Sequence, residues 1–135
     1  MAAIAASNGL SNLVGAVYDC IPDASLWQDT LDSIRRLCDG CLATLAVLDT
    51  DIRSARFSVA CGDPDVLAPL LSTYNTDMPF FTAVPKMELD VPQTVDSIYE
   101  LNGPSTRERW LSSKMAREWA MPNRLDDFIW VPVMK

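Results

Sequence analysis

Histidine is absent from this 135-residue sequence, and that single count removes much of the chemistry its other residues could do. Ser-His-Asp and Cys-His nucleophile arrangements, histidine metal sites and the usual proximal haem ligand all lose their central residue. Cys38-Asp39-Gly40-Cys41 keeps the C-x-x-C spacing of redox and zinc sites. A reactive thiolate gains from a helix N-terminus, whereas Cys38 falls at the C-terminal end of a predicted helix, where the dipole opposes the charge. No second C-x-x-C completes a zinc site. The pair therefore reads as two small buried hydrophobes flanking a glycine cap. Asp49-Thr50-Asp51 and Asp126-Asp127 lack the glycine and distal glutamate of a calcium loop and read as solvated turns. The five glycines are scattered, so no phosphate loop is present. These readings assign no catalytic residue, no metal ligand and no cofactor, and the chain is expected not to be an enzyme.

Aromatic side chains carry the stronger signal. Tyr74, Phe80, Phe81, Trp110, Trp119 and Trp130, with Met115, fall in or beside the segments expected to cover a sheet. That is the pattern of a concave apolar pocket with a few polar groups, here Thr82, Thr94 and Asp77. The competing reading is plain core filling.

The elements that must position these residues follow from periodicity. Ser105 and Glu108 have capping-box spacing, predicting a helix over Ser105–Ala120 whose apolar face pairs Leu111 with Met115 beside Trp110 and Trp119. Met121-Pro122-Asn123-Arg124 ends it, and Phe128–Met134 follows as a strand with apolar side chains on both faces. Upstream, Leu10–Ile21 reads as a helix capped by Ser7 or Asn8, and a second helix runs from Asp23 to Gly40. Leu42–Leu48 and Arg56–Cys61 form a hairpin; Asp63 and Pro64 open a third helix reaching Asn75. Residues 76–88 read as an irregular loop carrying Phe80 and Phe81 inward, Val91–Val95 as a short extended piece, and Asp96–Leu101 as a helical turn or two.

Length fits one domain, 1–135, that buries roughly two-thirds of its unfolded surface. Eighteen acidic against eleven basic residues give a net charge of -7, which repels nucleic-acid phosphates. The opening MAAIAASNGL has neither the charge nor the apolar run of a secretory signal, and no stretch approaches a membrane span. A cytoplasmic setting with reduced cysteines is expected. The strand Phe128, Ile129, Trp130, Val131 is expected to be the pairing edge of a homodimer, because a bare apolar edge is a template for another chain. Alternatively the strand is central, between Leu42–Leu48 and Val91–Val95.

Leu26-Trp27, the Gly40 break, Gly62-Asp63-Pro64, Tyr74 followed by Asp77-Met78-Pro79, and Glu118-Trp119-Ala120-Met121-Pro122 before Leu125-Asp126-Asp127 together form a recognisable order. It resembles the N-terminal sensor region of LuxR-type helix-turn-helix transcriptional regulators, over about Leu10 to Val133. The resemblance implies an α+β, PAS/GAF-like fold: a small antiparallel sheet of about three strands covered by helices, with an N-terminal helical hairpin. It implies signal input by sensing a small apolar ligand, by dimerisation, or both. The last strands of such a sheet and the helix-turn-helix have no counterpart in these residues, so DNA binding is carried to none of them. A ligand-free interaction module and, further off, a thiol redox sensor using Cys38 and Cys41 are the alternatives.

Overall fold

The computed structural model describes residues 2–49, 51, 54–74, 80–125 and 127–133. Expectations placed on Thr50, Asn75, Asp77-Met78-Pro79, Asp126 and Met134 lie outside the described residues. The fold is mixed α+β. In order come α1 (Ala2–Asp19), a short 3-10 turn, α2 (Trp27–Leu37), β1 (Leu42–Asp49), β2 (Ser54–Gly62) and α3 (Pro64–Ser72). Then follow a 3-10 turn at Val84–Lys86, β3 (Gln93–Thr94), α4 (Val95–Asn102), α5 (Ser105–Ser112), a π-helical segment at Ala116–Ala120 and β4 (Ile129–Trp130). Contacts gather into two compact units, Met1–Val47 with Phe57–Leu67 and Leu48–Arg56 with Ala68–Lys135.

In the first unit α1 and α2 make the expected helical hairpin. Helix α1 starts earlier than Leu10, so Ser7 and Asn8 lie inside it and not at its N-terminal cap position. Asp23 does cap: its carboxylate accepts from the Ser25 backbone N–H at 3.0 Å and the Ser25 hydroxyl at 2.6 Å, and these bonds hold its pKa below the ordinary value. The Cys20 thiol lies 3.4 Å from Thr30 Oγ1, joining the end of α1 to α2. Gln28 ties α2 to β2, donating to Ala60 O at 3.2 Å and to Cys61 Sγ at 3.3 Å.

The stop of α2 corrects the glycine-cap expectation. Asp39, at φ 52°, takes the left-handed position. The Asp39 N–H donates to Arg36 O at 3.1 Å and the Gly40 N–H to Arg35 O at 2.9 Å, the paired closure of a Schellman motif. Arg35 adds a bond from Nη1 to Gly40 O at 3.0 Å while its Nε pairs with Asp32 at 2.8 Å. Cys38 and Cys41 are both exposed around this turn, which corrects their reading as buried hydrophobes. The buried thiols are Cys20 and Cys61.

Strands β1 and β2 pair antiparallel, as expected. Gly62 ends β2 at φ +136°, where a Cβ would lie 2.6 Å from Cys41 O and closer still to the Leu42 side chain. Only glycine fits there.

Among the described residues the expected single sheet of about three strands is instead two sheets of two strands, β1-β2 and β3-β4. The segment around Val91–Val95 supplies the partner of the C-terminal strand, with Gln93 opposite Trp130 and Thr94 opposite Ile129. Among the described residues β4 has this one partner, so it is not central. It is also shorter than Phe128–Met134, because Pro132 has no N–H to extend the ladder. Pro132 still accepts, from the Asp90 N–H at 2.8 Å.

Candidate functional site

The site lies in the second unit and is built by four short devices that carry aromatic side chains inward. At the end of α3 the N–H groups of Thr73 and Tyr74 converge on Pro69 O at 2.8 and 3.0 Å, which stops the helix and buries Tyr74. Further along, a bond from Ala83 N–H to Phe80 O at 2.9 Å closes a turn that buries Phe80, Phe81 and Ala83. The 3-10 turn that follows adds Met87 to the same core.

Thr94 caps α4, accepting from the Ser97 N–H at 3.2 Å, and the helix buries Val95 and Ile98. Gly103, at φ 101°, turns the chain into α5. Here the capping-box expectation fails. Ser105 lies within the helix, the residue at the cap is Pro104, and no side chain caps it. The predicted continuous helix is also broken. Ser113 is extended at φ -67°, ψ 152°, and it is the true cap: its Oγ accepts from Ala116 N–H at 3.1 Å and its carbonyl from Arg117 N–H at 3.2 Å. The break turns Leu111 out to solvent while Met115 is buried, so the predicted pair does not share a face. The second piece widens into π geometry, with Met121 N–H bonded to Ala116 O at 2.9 Å, and this buries Ala116, Trp119 and Ala120. Asn123 closes it, donating from Nδ2 to Trp119 O at 2.8 Å.

Of the seven residues predicted to line a pocket, Tyr74, Phe80, Phe81, Trp110, Met115 and Trp119 are buried and Trp130 is half-buried. Ring contacts join them into two groups. Phe80 is the hub of the larger, with centroids 5.1 Å from Trp110, 6.3 Å from Tyr99 and 5.3 Å from Phe128, and Phe128 in turn meets Trp130 at 6.4 Å. Tyr74 and Trp119 form the second, at 6.0 Å, and the Tyr74 hydroxyl reaches Glu118 Oε2 at 3.4 Å. These tilted and edge-on arrangements are those aromatic quadrupoles favour. Burial pushes the Tyr99 hydroxyl above its ordinary pKa, against the pull of the Arg107 charge.

Of the polar groups expected in the site, Thr82 and Thr94 serve elsewhere. Thr82 exchanges hydrogen bonds with the Asn102 side chain, at 2.8 Å from Asn102 Nδ2, and Thr94 is the cap of α4. Among the described residues, every buried side-chain nitrogen and oxygen has a partner. A shallow depression on the outer face of α5, lined by Pro104, Arg107, Glu108, Leu111 and Ser112, includes none of the seven.

Tyr99, Ile98, Met87 and Thr106 belong to this core and were not singled out from the sequence. Val95 and Ile98, three apart after a capping Thr94, were the available signal for two faces of α4. The proposed pairing strand alternates: Phe128 and Trp130 turn toward the aromatic group, while Ile129, Val131 and Val133 are exposed. Leu89 and Val91, on the segment bonded to Pro132, are exposed as well.

No protein-family model, curated protein or solved structure matches the chain. Among the described residues no group of three or more histidine, cysteine, aspartate or glutamate side chains gathers to hold a metal ion. No helix among them is long and apolar enough to cross a membrane.

Proposed function

We propose that this chain is a signal-input domain of the PAS/GAF-like kind found in LuxR-type regulators, acting by self-association and not by catalysis. The observation that carries the reading is the alternation at Phe128–Val133. One side of the segment belongs to the aromatic group through Phe80 and Phe128, and the other is the exposed apolar row Ile129, Val131, Val133. A small apolar ligand wedged beside Phe80 would therefore act on the strand that offers the contact surface. Isologous pairing about a two-fold axis is the common way such a surface is covered. In this reading the segment contacts neither nucleic acid nor membrane, and it works in the cytoplasm.

The burial of Phe80, with every buried side-chain nitrogen and oxygen among the described residues partnered, favours a second reading: a ligand-free interaction module using the same strand. Thermal melting with a panel of small apolar and aromatic metabolites separates the two, since a ligand that binds only the native state raises its stability by mass action. A reproducible upward shift that Trp110→Ala abolishes supports sensing; no shift across the panel leaves the interaction module. Light scattering tests self-association itself. The parent is expected to be dimeric or larger, and Ile129→Lys smaller, whereas a parent that is monomeric at high micromolar concentration overturns the proposal.

A further inference from the structure

An asparagine followed by a glycine carries its own reaction. The glycine nitrogen can attack the asparagine side-chain carbonyl carbon, and the glycine puts no Cβ in the way. The sequence has two such pairs, Asn8-Gly9 and Asn102-Gly103. Asn8-Gly9 lies inside α1, where a regular helix spends each interior N–H on the carbonyl four residues back and holds the peptide in place. Asn102 is the last residue of α4, and Gly103 leaves helical geometry at φ 101°, ψ 162°. The place a Cβ would take on Gly103 has no atom within 4 Å, so nothing packs over that side of the junction. The Asn102 side chain meets two partners there. Its Nδ2 donates to Thr82 Oγ1 at 2.8 Å, and its Oδ1 accepts from the Thr82 hydroxyl at 3.2 Å and from Lys86 Nζ at 3.5 Å. An ammonium only donates, so Lys86 fixes which end of the amide is the oxygen.

We infer that Asn102 is a covalent modification site, deamidating by attack of the Gly103 nitrogen, with Lys86 and Thr82 placed to receive the carboxylate that results. The Gly103 nitrogen gives its proton to solvent base and bonds to Asn102 Cγ. The Cγ–Nδ2 bond breaks and ammonia leaves, taking a proton from water, and a cyclic imide remains. Water then adds to one of the two imide carbonyls and opens the ring, to aspartate or to isoaspartate, and the new carboxyl group loses its proton to solvent. Water is the one co-reactant, and nothing is oxidised or reduced. Lys86 stands where negative charge develops on Oδ1 as the nitrogen adds, and a cation at that position favours the step. Afterwards the ammonium and the Thr82 hydroxyl face a carboxylate where they faced an amide, and both can donate to it. The product is one unit more negative than the parent's -7. In the isoaspartate form the main chain between α4 and α5 is also longer by one carbon. The inference is independent of self-association and of any ligand.

The test is peptide mass mapping of the folded full chain, sampled over weeks in mildly alkaline buffer, with circular dichroism at each point to show that the fold persists. The peptide holding Asn102 is expected to gain about one dalton, the exchange of an amide for a carboxyl group. The peptide holding Asn8 is expected to lag it several-fold while the protein stays folded and to catch up in urea. Lys86→Met, at an exposed position, is expected to slow the gain at Asn102 several-fold. An Asn102 peptide that keeps its mass in folded protein, while the same peptide reacts in urea, overturns the site. Equal rates at Asn8 and Asn102 in folded protein overturn it too, because the place of the pair in the fold would then decide nothing. A Lys86→Met chain that folds and reacts at the parent's rate overturns the role given to Lys86.

Discussion

The rings of Phe80 and Phe128 meet edge-on, with 5.3 Å between centroids and 61° between planes, and this contact fastens the last strand to the core of the second unit. Trp110 flanks Phe80 on another side at 5.1 Å and is almost fully buried. Trp110→Ala should lower unfolding stability by about 3 to 5 kcal/mol, transfer and cavity terms together. Denaturant titration followed by circular dichroism reads this directly. A loss below about 1 kcal/mol would mean that Trp110 is not packed as described.

The caps of the broken helix can be distinguished by paired substitutions. Ser113→Ala removes the acceptor of the Ala116 N–H and should cost about 1 kcal/mol, whereas Ser105→Ala, at a position that caps nothing, should stay within about 0.5 kcal/mol. Equal effects, or the reverse order, would restore the capping box read from Ser105 and Glu108.

Gly62 is constrained twice, by φ +136° and by the approach of Cys41 O to the place of a Cβ. Gly62→Ala should destabilise the protein by more than the roughly 1 kcal/mol of an ordinary strained substitution. Gly15→Ala, in a helix and meeting nothing, should stabilise by about 0.5 to 1 kcal/mol. Thermal melts of both variants would show opposite shifts.

Thiol labelling separates the four cysteines. Cys38 and Cys41 are exposed, whereas Cys20 and Cys61 are buried, and burial pushes the Cys61 thiol up so that less of it is thiolate at neutral pH. An aromatic disulfide reagent at neutral pH should therefore modify two thiols quickly and two only on unfolding. Peptide mapping that finds Cys61 in the fast pair would contradict the packing of Gln28 on β2, and Cys20 there would contradict its contact with Thr30.

Much of this architecture was legible in the sequence. Asp63 announced α3, and Asp23 the 3-10 turn before α2 though not α2 itself, because an aspartate before a helical period has one profitable local use, and the β1–β2 hairpin followed from its apolar runs. Six of the seven predicted site residues are buried together in number, if not all in mutual contact. What was hidden depended on competition between neighbours. Ser105 and Ser113 are chemically the same cap, and the choice between them was made by burying Met115 and Trp119, a tertiary term that spacing does not contain. Asp39 and Gly40 competed similarly for one left-handed position, and the pair of hydrogen bonds to Arg35 and Arg36 placed it on Asp39. The cysteine exposure followed from that choice. The strand is shorter than its apolar run because the ladder ends before Pro132, which has no N–H to donate.

The alternation along 128–133 sets a parity rule for this end of the chain. Ile129 and Trp130 hold only two ladder positions, so hydrogen bonding does little to fix which side chains face in, and the Phe80–Phe128 contact decides it. Inserting one residue between Phe128 and Ile129, with the ladder positions kept, would move Phe128 to the outward side and send its ring into solvent. Inserting two would restore the sides. Length variation here should thus be tolerated in even steps and rejected in odd ones, whatever the inserted residues are.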